Sequence, residues 1–220
     1  MLDLKQLTAD VCRIATEVGY FLKEERKNFR RERVVEKHAH DYVSYVDKES
    51  EVRVVKVLTA LLPEAGFITE EGSATYQDEP YCWVIDPLDG TTNYIHDEAP
   101  YCVSIALRSR TELLLGVVYE VCRDECFYAW KGGKAFMNGE EIHVSNVEDI
   151  KDAFVITELP YNHLQYKQTA LHLIDQLYGV VGGIRMNGSA AAAICYVAIG
   201  RFDAWMEAFL GKWDYSAAAL

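Results

Sequence analysis

The sequence predicts a mixed α/β protein in which helical and sheet layers alternate. Three observations carry this. Amphipathic helical spacing opens the chain, short apolar runs separated by turns fill its middle, and strand and helix patterns alternate from Asp152 onward. The first helix is read from Leu4 to about Phe29, where Leu4, Leu7, Val11, Ile14, Val18 and Phe21 recur at helical spacing. The charged stretch from Asn28 to Lys37, with His38 and His40 beyond it, reads as a solvated hairpin or loop. A second helix is expected from about Lys48 to Leu62, with Val52, Val55, Leu58 and Leu62 on its inner face and Pro63 ending it.

Strands follow at Phe67-Ile68, Trp83 to Ile85, Tyr101 to Leu107, Leu113 to Tyr119 and Cys126 to Trp130. Gly132-Gly133 and Asn138-Gly139 mark tight turns, the second being the dipeptide that type I′ hairpins favour. After Asp152 the expected order is a strand near Phe154 to Thr157, a helix near Leu164 to Tyr178 and a strand near Gly183 to Met186. A helix near Ala190 to Ile199 and a strand near Phe202 to Met206 complete it. With no repeat or linker in 220 residues, the two textures are read as halves of one unit, residues 1–150 and 151–220.

The composition is that of an ordinary globular chain, 50% hydrophobic and 25% charged. The formal charge of −12 opposes non-specific nucleic-acid or membrane-surface binding, although a phosphorylated substrate remains open to a site with cations in it. No apolar run approaches the roughly 18 residues of a membrane span, and the N-terminus lacks a signal-peptide pattern, so the expected location is the cytoplasm. The six cysteines are read as buried, reduced thiols, since Cys122 and Cys126 have no second ligand pair to make a zinc site. His38, His40 and His96 are read as surface or structural residues.

Three groups of acids sit at apolar strand ends, where an unpaired charge is unfavourable. They are Glu70-Glu71, Asp86 with Asp89, and Asp214. Asp214, ahead of a run of alanines, also stands where a helix cap would. Converging carboxylates without Cys or His suit Mg²⁺, which binds a few acids while keeping water and substrate phosphate. A strand ending at Asp86, a turn at Pro87, a carbonyl offered by Leu88 and a helix starting at Gly90-Thr91-Thr92 would bring metal and phosphate into one pocket.

Asp86-Pro-Leu-Asp-Gly-Thr-Thr-Asn93 and Trp213-Asp-Tyr-Ser-Ala-Ala218 resemble the two signatures of the inositol monophosphatase family. Asp41-Tyr-Val-Ser-Tyr-Val-Asp47 before a helix, Glu70-Glu71, Gly133-Lys-Ala-Phe-Met-Asn-Gly139 and Gly188-Ser-Ala-Ala191 follow the family order over nearly the whole chain. The resemblance implies the αβαβα layering of this family and of related sugar phosphatases. It also implies hydrolysis of a small polyol phosphate, inositol 1-phosphate first, by water activated on two or three Mg²⁺ ions. Glu70, Asp86 and the Leu88 carbonyl would hold one ion, Asp86, Asp89 and Asp214 a second, and Glu70 a weaker third. Glu70 and Thr91, backed by Asp47, would orient and activate the water, while the Gly90 and Thr91 amides and Asp89 meet the substrate.

Gly188, Ser189, Ala190 and Glu207 would select the alcohol, though Glu207 also fits a solvated strand end, and Lys37 is either a basic loop residue of the site or a solvated lysine. Lithium sensitivity and a cytoplasmic homodimer are implied as well. The family pattern continues beyond the second signature, so a final layer past Leu220 is expected to be missing from this sequence. Within the same fold the alternatives are 3′(2′),5′-bisphosphate nucleotidase, fructose-1,6-bisphosphatase and histidinol phosphatase activities. Outside that class stands a regulatory protein that keeps the pocket with little turnover. Family members serve as accessory factors in RNA-related processes, but the charge opposes direct RNA binding.

Overall fold

A computed structural model of the chain describes residues 2–30, 32, 34–38, 41–159, 161 and 163–220. Helix α1 (Leu4–Lys27) is capped by Asp3, whose carboxylate accepts from the Gln6 amide at 3.1 Å, and it ends on Arg26 and Lys27, where the helix dipole favours cations. Its buried stripe runs through Leu7, Val11, Ile14, Val18 and Leu22. The charged segment that follows forms an antiparallel hairpin of β1 (Val35–His38) and β2 (Asp41–Val43). Lys37 lies on β1, but its side chain, like that of His38 and the whole of His40, falls outside the described residues.

Helix α2 (Tyr45–Leu61) begins earlier than its apolar pattern suggested, and the cause is local. Ser44 and Asp47 form a reciprocal capping box, which makes Asp47 part of the first turn instead of a residue ahead of the helix. The inner face differs as well. Val52 is 57% exposed, whereas Val46, Asp47, Ser50, Glu51, Val54 and Leu58 are buried, because this helix turns two acids and a serine toward the protein.

A seven-stranded sheet follows in the order β3 (Ala65–Thr69), β4 (Tyr81–Asp89), β5 (Cys102–Ser109), β6 (Leu113–Glu120), β7 (Glu125–Trp130), β8 (Ala135–Met137) and β9 (Glu140–Glu141). Only β3 and β4 run parallel; each later pair is antiparallel. Asn138 and Gly139 both have positive φ, at 49° and 91°, as the predicted hairpin turn requires. Alternation along β4 splits the core. Trp83 and Ile85 join the cluster under α1 and α2, while Cys82 and Val84 join the cluster on the opposite face.

That second cluster receives α5 (Ala190–Ala198) and α6 (Lys212–Tyr215), the latter with its following alanines. Beyond α5 lies a parallel sheet in the order β11 (Gly183–Arg185), β10 (Phe154–Thr157) and β12 (Ala204–Met206), with α4 (Lys167–Leu177) between β10 and β11 in sequence. Helix α5 touches β5 and β6 on one side and β12 on the other, so helix, sheet, helix and sheet follow in layers. Short α3 (Thr91–His96) leaves the end of β4 at the seam between them. All six cysteines are free, but Cys122 is exposed and Cys12 and Cys126 are half-buried, so the expectation of uniform burial holds only for Cys82, Cys102 and Cys195.

Candidate active site

The site grows from an irregularity in β4. The strand does not end at Asp86 as its sequence suggested but runs to Asp89, with its register on β5 shifting between the two acids. Asp86 pairs with Ser104 and Asp89 with Cys102, so three steps along β4 match two along β5. Two residues three apart on a regular strand face opposite ways; the extra residue of this bulge returns both carboxylates to the α5/α6 face. Pro87 has no N–H to lose there, and the Leu88 amide donates to the Asp86 carboxylate at 2.9 Å.

Asp214 arrives from the other side. It occupies the first turn of α6, where its carboxylate accepts from the Gly211 amide at 2.6 Å, so it is both a helix cap and a member of the cluster. Ser104 donates to the Trp213 carbonyl at 3.2 Å and docks α6 on β5. Oxygens of Asp86, Asp89 and Asp214 all lie within 4.8 Å of one another. Asp86 is 2% exposed, and burial, followed by the charges of Glu70, Asp89 and Asp214, pushes its carboxyl well above the usual range. Asp89 is raised to about 6, chiefly by burial, against hydrogen bonds from Ser189 and the amides that open α5. Buried hard-oxygen donors held this close suit a divalent cation such as Mg²⁺, whose charge would relieve their repulsion.

Glu70 follows β3 directly, and its backbone amide donates to the Ile85 carbonyl at 3.3 Å. Its side chain hydrogen-bonds Asp86. The Thr91 hydroxyl lies 2.9 Å from an Asp47 carboxylate oxygen and 3.0 Å from the Leu88 carbonyl, so its single proton serves one of them and its lone pairs stay available. Asp47 is 1% exposed; burial raises its carboxyl, while the Ser44 amide and hydroxyl and the Thr91 hydroxyl oppose the rise. Gly90 precedes α3 with φ of 94°, and a Cβ there would stand 3.0 Å from the Pro100 carbonyl oxygen.

A cleft of about 850 Å³ opens onto Glu70, Asp89, Gly90, Thr91, Glu207 and Asp214. Gly188, Ser189 and Ala190 also line it. The Ser189 hydroxyl, however, donates to Asp89 at 2.6 Å, and the residue is 1% exposed. Its hydroxyl thus supports an acid of the cluster, while the residue itself lies on the cleft wall between Gly188 and Ala190. Glu207 follows β12 with one buried oxygen lacking a hydrogen-bond partner among the described residues. Burial, then the charges of Glu158, Asp89 and Asp214, raises its carboxyl to about 8.

Three supporting residues escaped the sequence reading. The Asn93 side chain donates to the Pro100 and Asn187 carbonyls at 2.8 and 2.7 Å, tying α3 to the Asn187-Gly188 turn. Glu158 accepts from the Asn187 and Gly188 amides at 2.6 and 3.1 Å. Glu51 accepts from the amides of Glu71 and Ser73. Asn93 belongs to the recognised signature and Glu51 lies four residues after Asp47, but their partners are distant in sequence.

Comparison with known proteins gives a consistent answer. Residues 3–220 match the model of the inositol monophosphatase family. The Nus factor SuhB of Vibrio cholerae is 32% identical over 94% of this chain and 78% of its own length. A fructose-1,6-bisphosphatase/inositol-1-monophosphatase of Aquifex aeolicus is 36% identical over 94% of this chain and 79% of its own. The crystal structure of the extragenic suppressor protein SuhB of Bartonella henselae superposes with a TM-score of 0.90 at 34% identity, covering 97% of this chain and 82% of that one.

Proposed function

The chain belongs to the inositol monophosphatase family, a family of phosphatases, and from that premise we propose that it hydrolyses a small polyol phosphate monoester, inositol 1-phosphate first among them. The observation that carries this reading is the convergence of Asp86, Asp89 and Asp214 within 4.8 Å, in a cleft that also holds Glu70 and the start of α3. Asp86, Asp89 and Asp214, with Glu70 and the Leu88 carbonyl beside them, are the residues that would hold Mg²⁺ ions. Bound there, Mg²⁺ would supply Lewis-acid stabilisation of phosphoryl charge and lower the pKa of bound water.

The chain's own groups do the positioning. Glu70 and the lone pairs of Thr91 orient the attacking water, and Asp47 fixes the Thr91 hydroxyl. The Gly90 and Thr91 amides face the phosphate at the first turn of α3, where the backbone offers unsatisfied donors. Gly188, Ser189, Ala190 and Glu207 meet the alcohol, with Glu207 accepting from its hydroxyls. Lithium sensitivity and a cytoplasmic homodimer belong to the same reading.

Phosphate release from inositol 1-phosphate, 3′-phosphoadenosine 5′-phosphate, fructose 1,6-bisphosphate and histidinol phosphate, each with and without Mg²⁺, tests it. The expected result is Mg²⁺-dependent turnover, greatest on inositol 1-phosphate, and a fall of at least about 100-fold in Asp89→Asn. Undiminished turnover in Asp89→Asn would remove Asp89 from the metal site.

A second reading comes from relatives named Nus factor SuhB, which makes a binding or regulatory role the competitor. Mg²⁺ binding by calorimetry without phosphate release from any of the four substrates would favour it.

A further inference from the structure

We propose that Glu51 is a positioning residue that sets the place of Glu70, an inference that rests on the reading of Glu70 as the group that orients water. Glu51 lies in the middle of α2 and is 0% exposed. Its two carboxylate oxygens take separate backbone donors, the Glu71 amide at 2.7 Å and the Ser73 amide at 2.8 Å. Both donors belong to the segment that leaves β3 immediately after Glu70, on either side of Gly72 in its left-handed conformation at φ of 74°. On the other side, the Glu70 amide is fixed to the Ile85 carbonyl of β4. Glu70 is therefore held between a strand and a buried carboxylate.

The residue type is informative. Val54 and Leu58 continue the same buried face of α2, so an aliphatic side chain would satisfy the helix and its core without burying a charge. What only a carboxylate supplies here is two acceptors on one planar group, each strengthened by charge. Asp47 stands one turn earlier on α2 and hydrogen-bonds Thr91. One helix thus carries both supports, Asp47 for the hydroxyl and Glu51 for the loop bearing the acid, which ties the spacing of Thr91 and Glu70 to a rigid element. Supports of this kind are worth about 10- to 100-fold in activity or metal affinity.

The test compares the whole chain with Glu51→Gln, Glu70→Gln and the double variant. Glutamine keeps the size of Glu51 but offers one acceptor and turns an NH₂ toward the second amide. Amide hydrogen exchange in the metal-free protein is expected to quicken about tenfold at Glu71 or Ser73, the loss of one hydrogen bond. With Mg²⁺ and inositol 1-phosphate, kcat should fall about 10- to 100-fold while KM stays within about twofold. In the Glu70→Gln background the same substitution should change the residual rate by less than about twofold, since Glu51 would have nothing left to position. An equally large fall in both backgrounds, or unchanged exchange at both amides, overturns the proposal. If Glu51→Gln does not fold by circular dichroism, Glu51→Asp keeps the charge, withdraws it by one methylene and is put through the same comparisons. A wild-type chain that releases phosphate from none of the substrates would overturn the phosphatase reading; exchange and calorimetric Mg²⁺ affinity, expected to weaken about tenfold in Glu51→Gln, would then decide the role of Glu51 separately.

Discussion

Glu207 shows how the site burdens single residues. Its carboxyl follows β12 into the cleft, where burial and three neighbouring acids raise it from 4.5 to about 8. The folded metal-free protein therefore keeps a proton on Glu207 that the unfolded chain releases. For a carboxyl raised on folding, that stabilisation is complete below the unfolded pKa and is lost as pH rises through the folded one. In chelator, thermal stability is expected to decline between about pH 5 and pH 8, and Glu207→Gln should flatten the decline; melts of both proteins across that range check it. A slope identical in the two would assign the effect to other groups. Aspartates 86, 89 and 214 were legible as separate acids at strand ends because motif and hydrophobicity are local properties. Ser189 was not legible as a support of Asp89, since its partner lies a hundred residues away.

At the scale of elements, the bulge in β4 and the docking of α6 matter most. The segment after α6 rests on β6 at Gly116, where a Cβ would lie 2.0 Å from the Ala217 carbonyl oxygen and 3.0 Å from the Ala217 Cα. Backbone, unlike the end of a flexible side chain, cannot swing aside. Gly116→Ala should lift α6 and Asp214 from the sheet, destabilise the fold by about 1–3 kcal/mol and weaken Mg²⁺ binding. Denaturant unfolding together with Mg²⁺ titration measures both, and an unperturbed Mg²⁺ affinity would separate Asp214 from the metal site. Most elements were visible from periodicity. The inner face of α2 was not: Asp47, Ser50 and Glu51 occupy its buried stripe and Val52 points outward, an inversion that a hydrophobicity pattern cannot detect. Those buried acids are also the residues that hold Thr91 and the Glu70 loop, so the pattern failed where the helix serves the site.

For the whole molecule, the cleft takes Glu70 and Asp89 to Thr91 from the ends of β3 and β4 in the large sheet, and Gly188 to Ala190, Glu207 and Asp214 from segments that follow β11 and β12 of the small one. Acids contributed by both parts repel one another, adding to a chain that already carries a formal charge of −12. A divalent cation in the cluster should bind the folded form and stabilise it. At a Mg²⁺ concentration about 100 times the dissociation constant, the expected gain is about 2.7 kcal/mol. Differential scanning calorimetry in Mg²⁺ and in chelator measures this gain. It should be absent in a chain carrying Asp86→Asn and Asp214→Asn together, and its survival there would place the cation elsewhere.

The sequence by itself determined the mixed α/β class, the order of most helices and strands, the identity of the acids and the family. These follow from periodicity, turn chemistry and contiguous motifs, all of which act over a few residues. Only the tertiary structure decided which acids meet and what holds them. A bulge reversed the facing of Asp89, a glycine on β6 let α6 approach, and α2 turned its acids inward. Each depends on backbone and packing contacts between segments far apart in the chain, and no local pattern encodes those distances.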